Sequence, residues 1–309
     1  MPSVKKTLSF LLTLVAAGGI AALAAQVYRR PWETGTSVLR AGMLLAGAHE
    51  GTCDAGGSPI HYYRAGQRGT PIILIHGLGG SAEAWGLLLP RLRKKCVVYA
   101  FDLPGFGRTP LAPEGIDIRA HVLYLERFLA ALGSPGVTLV GNSLGGWIAT
   151  RFAVEHPERV NQMYLLNSAG LRREGAQTPS TPDREAARRL IKHVWGHALP
   201  VPGFILDAFV RNSQRPAYHG FIQAYDQQED LETALAQVQV PTTIIWGERD
   251  QLLPITCAFD FHTGIAHSEL VLLSDVGHTP QIQAAAEVAS IILKDADWKQ
   301  KAQRYARTW

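Results

Sequence analysis

Apolar residues along this chain come in short blocks rich in Val, Ile and Leu, each bounded by Gly or Pro, rather than in long stripes. Blocks at residues 60–64, 71–76, 96–101, 137–142, 162–167, 242–246 and 269–273 read as strands, and helical stretches separate most of them. Strands that are apolar on both faces need cover on both faces. The pattern therefore predicts an α/β chain with a mostly parallel central sheet and helices on either side.

The rhythm breaks once. About seventy residues lie between Ala169 and Pro241, where one crossover helix needs far fewer, and they carry their own helical patterns broken at Pro179, Pro182, Pro200, Pro202 and Pro216. A structureless loop of that length does not suit a compact domain, so residues 169–240 read as an inserted helical cap. Phe204, Ile205, Leu206, Phe209, Val210, Phe221 and Ile222 are expected to offer apolar lining from this cap.

The N-terminus differs in kind. Lys5 and Lys6 precede an uncharged apolar run from Leu8 to Ala25, and Arg29, Arg30, Pro31 and Trp32 follow it. Such a run is just long enough to span a bilayer, and Ala22-Leu23-Ala24 offers the small residues that a signal peptidase accepts. The expectation is membrane association through an uncleaved anchor, or export if the segment is removed. Residues 33 to about 57 read as a polar linker and irregular entry, with an amphipathic patch from Val38 to Leu45 set against the membrane or the body. The expected organisation is thus residues 1–32 as anchor or signal peptide, 33–168 with 241–309 as the core, and 169–240 as the cap.

Composition narrows the function classes. A formal net charge of +4, with no basic run interleaved with aromatics, lacks the footprint of a nucleic-acid binder. Cys53, Cys96 and Cys257 have neither CxxC nor Cys/His ligand spacing and read as free thiols, with a Cys53–Cys257 disulfide possible after export. No metal or other cofactor is implied.

The chemistry concentrates at strand ends. Val137-Thr-Leu-Val-Gly141-Asn142-Ser143-Leu144-Gly145-Gly146 places Gly-x-Ser-x-Gly directly after a strand and before a helix, the arrangement of a nucleophile elbow. Ser143 is the candidate nucleophile. A serine hydroxyl needs a base, and the base an orienting acid. His278, in the loop after the strand at 269–273, sits on the same sheet edge. The loop after Thr242–Trp246 supplies Asp250 as acid, with Glu248 as the alternative. Asp275 more naturally bonds its own turn, and Asp102 ties down the loop Asp-Leu-Pro-Gly-Phe-Gly. An oxyanion intermediate needs two donors worth roughly 3 kcal/mol each. The backbone N–H groups of Leu144 and of Leu78, in the loop His76-Gly-Leu-Gly-Gly80, are the candidates.

From Ile60 to Leu293 the chain resembles α/β-hydrolases of the lipase and monoacylglycerol-lipase type, through IILIHGLGGSAEAW, YAFDLPGFGRT, LVGNSLGGWIA, YLLNSAGL, TTIIWGERDQLLP and LSDVGHTPQI in order. The resemblance implies a serine hydrolase acting on carboxylic esters, with monoacylglycerols or medium-chain acyl esters as small-molecule substrates. Carbon-carbon bond hydrolases of ring-cleavage products share these motifs and form the alternative. A non-catalytic, ligand-binding member of the fold is a third reading.

Overall fold

The computed structural model describes residues 25–294 except residue 135; the apolar run from Leu8 lies almost wholly outside the described residues. No helix among the described residues is long and apolar enough to cross a membrane.

Eight strands form one sheet in the order β1-β2-β4-β3-β5-β6-β7-β8. They are β1 (His49–Asp54), β2 (Pro59–Ala65), β3 (Ile72–Ile75), β4 (Val98–Phe101), β5 (Val137–Asn142), β6 (Val160–Leu166), β7 (Thr242–Gly247) and β8 (Ser268–Leu273). Pairing is antiparallel from β1 to β2 and from β2 to β4, and parallel from there on. Every strand predicted from the blocks of apolar residues is present. β3, β5 and β7 are buried along their whole length, which explains their unbroken apolar character.

The region read as linker and irregular entry is instead regular. Helix α1 (Pro31–Leu45) carries Pro at its first turn, where a missing N–H costs nothing, and buries Pro31, Thr34 and Met43. It stops at Gly47, whose positive φ of 82° lets the Ala48 and Gly47 amides donate to the Met43 and Leu44 carbonyls. With two internal glycines the helix has weak propensity, so packing must hold it. β1 was also hidden from sequence. It is an edge strand whose residues are exposed or half-buried, and His-Glu-Gly-Thr-Cys-Asp shows no apolar alternation. The helix runs without a break through the boundary expected at residue 32.

Two apolar layers flank the sheet. On one side α2 (Ile118–Ala131) and α3 (Leu144–Glu155) bury Phe128, Trp147 and Phe152; on the other lie Met43 of α1, Trp85, Val288 and Ile292. Between β6 and β7 stand α4 (Arg184–Trp195), α5 (Gly203–Ser213) and α6 (Pro216–Gln223). Asp183 caps α4 by accepting from the Ala186 amide, and Gly196 ends it in the left-handed conformation. Helix α7 (Thr256–Gly264) links β7 to β8. None of Cys53, Cys96 and Cys257 is in a disulfide among the described residues, and burial pushes the Cys257 thiol up to about 12.

Candidate active site

Ser143 ends β5 and caps α3 with φ 54° and ψ −119°, a conformation costing on the order of 1–3 kcal/mol that surrounding structure must impose. The two flanking glycines are required by contact. A Cβ on Gly141 would lie 2.3 Å from the Gly145 carbonyl oxygen, and one on Gly145 would lie 2.0 Å from that of Ile75. Ser143 is thereby raised at the strand end, beside a Leu144 amide that has no intrahelical acceptor by its position.

His278 and Asp250 are brought together: His278 Nδ1 lies 2.7 Å from Asp250 Oδ2, and both side chains are buried. Asp250 is held by further donors. Asn167 Nδ2 donates to Oδ2 at 2.7 Å, and the Leu252 and Leu253 amides donate to Oδ1 at 2.8 and 3.0 Å. Glu248, the alternative acid, is exposed and accepts from the Ser274 hydroxyl instead. Asp275 pairs with Arg249 at the surface. Asp102 accepts from the amides of Ala82 and Arg108 and from His61. Burial pushes its carboxyl up, but the hydrogen bonds from His61 and from the Ala82 and Arg108 amides, with His76 nearby, outweigh that and hold it below the ordinary range.

The loop from His76 to Gly80 closes as a tight turn, with the Gly80 amide donating to the Gly77 carbonyl across Gly79 at φ 73°. The Leu78 amide takes no part in that bond and stays on the loop that faces Ser143; a Cβ on Gly77 would lie 3.2 Å from Ser143 Cβ. His76 sets the loop by accepting from the Leu103 amide at Nε2 and bonding the Gly77 carbonyl through Nδ1 at 2.8 Å. These partners fit a neutral ring protonated at Nδ1, and burial pushes its pKa below the ordinary value.

Three polar residues escaped the sequence reading as parts of the site. Asn142 donates to the carbonyls of Leu166 and His278 and accepts from Gln281, so the ends of β5 and β6 and the His278 loop are strapped together. Asn167 spans Asp250 and the Gly247 amide. Its φ of 42° lies in the left-handed region, which Asn tolerates better than most residues, so the residue type is the hint that the sequence carries.

Ser143 and His278 line one cavity of about 410 Å³, within the usual range for small-molecule sites. Leu78 lines it too, with Leu190, Val194 and Trp195 of α4, Phe209 of α5 and Tyr218 of α6. Of the apolar cap residues expected to line it, Phe209 does so. Leu206 is fully buried with Ala187 and Ile191 in the cap's own core, and Phe221 packs toward Trp147, because a small layer must first cover itself. Part of the wall comes instead from α1, through Pro31, Trp32, Gly35, Thr36 and Leu39.

A family model described as alpha/beta hydrolase family matches residues 72–291. The chain belongs to the alpha/beta hydrolase family. It is 31% identical over 261 residues to the 2-hydroxy-6-oxo-6-(2'-aminophenyl)hexa-2,4-dienoic acid hydrolase of Metapseudomonas resinovorans, covering 78% of this chain and 88% of that protein. It is 25% identical over 256 residues to Lipase 1 of Psychrobacter immobilis, covering 77% and 80%. Among solved structures, a bacterial membrane phospholipase A superposes with a TM-score of 0.78 at 26% identity, covering 94% of this hydrolase and 98% of that chain.

Proposed function

We propose that this hydrolase cleaves neutral carboxylic esters, monoacylglycerols or medium-chain acyl esters, through Ser143, His278 and Asp250. The observation that carries the reading is the cavity's lining. Among the described residues it holds no Arg or Lys, and Glu83, engaged by Ser81, Tyr63 and Arg108, is its carboxylate. An uncharged acyl chain suits such walls. A dienoic acid, the substrate class in the name of the Metapseudomonas relative, carries a carboxylate that finds no cation there. The apolar run from Leu8 to Ala25 would hold the chain beside its lipid, as an anchor or before export.

Ser143 Oγ attacks the ester carbonyl while His278 takes its proton, and Asp250 holds the ring and stabilises the imidazolium. The Leu78 and Leu144 amides receive the oxyanion, His278 returns the proton to the departing alcohol, and water then releases the acyl group by the same path. Hydrolysis of p-nitrophenyl esters from C2 to C16 and of monoacylglycerols, by wild type and Ser143→Ala, tests this. Turnover favouring medium chains and lost in the variant is expected. Inactivity on every ester, with turnover of a 2-hydroxy-6-oxo-dienoate, would instead place the chain with the carbon-carbon bond hydrolases.

A further inference from the structure

Residues 31, 32, 35, 36 and 39 of α1 recur one helical turn apart and so share a face, and all five line the cavity that holds Ser143 and His278. The helix is fixed at both ends of that face. Near its start Trp32 meets Phe209 of α5 edge-on at 5.4 Å, and further along Arg40 donates to Glu50 of β1 through Nε at 3.0 Å while Met43 is fully buried against the sheet. Thr36 returns its hydroxyl to the carbonyls of Trp32 and Glu33, so the helix itself satisfies that polar group. At the middle of the face sits Gly35, where a built Cβ meets no atom within 4 Å.

We infer that α1 is the wall of the acyl-binding part of this cavity, and that the absence of a side chain at Gly35 sets how long an acyl chain the site admits. The inference rests on the proposed ester reading and names the part of the chain that selects among esters. Only Gln26 to Arg30 separate the apolar run of residues 8–25 from this helix, so the wall that would grip the acyl chain begins close to the end of a membrane-directed segment. A Cβ at position 35 meets no protein atom at a place that lines the cavity, so the volume of a larger side chain there would come from the ligand's share.

Gly42 supplies the internal control. It lies two turns further along the same face, also with nothing within 4 Å of a built Cβ, but it does not line the cavity. The full-length chain and its Gly35→Leu, Gly35→Ala and Gly42→Leu variants are compared on p-nitrophenyl esters from C2 to C16, with circular dichroism and thermal unfolding as the check on folding. Gly35→Leu is expected to move the optimum to shorter esters, with kcat/KM on C12 falling at least roughly ten-fold relative to C4. Gly35→Ala should give a smaller shift in the same direction and covers the case in which the larger variant fails to fold. Gly42→Leu should keep the wild-type profile. An unchanged chain-length profile in a folded Gly35 variant, or the same shift in Gly42→Leu, overturns the inference. A wild type inactive on all esters would fail the ester reading separately. Labelling of Ser143 by fluorophosphonates of increasing alkyl length then decides the wall: loss of long-chain labelling in Gly35→Leu alone supports it, and equal labelling, or none at any length, overturns it.

Discussion

Asp250 accepts four hydrogen bonds, from His278, Asn167, Leu252 and Leu253, which leaves its carboxylate a single orientation. On the proposed mechanism that orientation matters more than its charge alone. Asp250→Asn should lower kcat about 10³- to 10⁴-fold on any ester the wild type turns over, because one of the two oxygen positions becomes an NH2: it would face either the donors His278 and Asn167 or the Leu252 and Leu253 amides. Asn167→Ala removes a donor to Asp250 and strands the Gly247 amide. It should lower unfolding stability by about 1–3 kcal/mol, read as a reduced urea midpoint, and lower kcat with KM nearly unchanged. Ser143, His278 and the loop that carries both Asp250 and Glu248 were legible in the sequence because each sits in a short motif just past a strand, where local pattern fixes which sheet edge it occupies. Asn167 was passed over. Its partners come from residues about eighty positions away, and no local pattern records that.

At the scale of elements, the cap and the loops beneath it are joined through the end of α4. The Val194 carbonyl accepts from the His278 amide at 2.7 Å and the His193 carbonyl from the Gln251 amide at 3.0 Å, so carbonyls that the helix end leaves open hold both loops. Gly196 lets the chain turn there, since a Cβ would lie 2.5 Å from the Arg249 carbonyl oxygen. Gly196→Ala should therefore destabilise the fold by roughly 1–3 kcal/mol and lower activity together, seen as a reduced thermal midpoint. Gly145→Ala is more severe. Its Cβ meets the Ile75 carbonyl oxygen inside the sheet, where nothing can move aside, and little folded protein should be recovered. Strands on which both faces are covered were read correctly because their composition is forced. Helix α1 and edge strand β1 were not, because both are held by contacts with α5 and β2 rather than by their own patterns.

For the whole molecule, stability should respond to acid through buried histidines. Burial pushes His121 down to about 4 and pushes His76 the same way, so both are neutral in the fold. The unfolded chain takes up those protons near its ordinary value of about 6.5, and below that pH it binds more protons than the folded state. Stability is therefore complete above about pH 6.5 and is lost as pH falls, the His121 share levelling off near pH 4 at a loss on the order of 3 kcal/mol. Urea midpoints measured from pH 7.5 to 4 should fall accordingly, and His121→Leu should flatten part of that slope.

Sequence alone determined the sheet, the elbow and the order of the candidate residues, because apolar runs and glycine spacings are local consequences of burial and close approach. Tertiary structure alone decided which carboxylate meets His278, how Asn142 and Asn167 tie the strand ends, and that α1 shares the cavity wall with residues of the cap. Those facts depend on which distant surfaces meet, and a chain read one segment at a time does not encode the meeting.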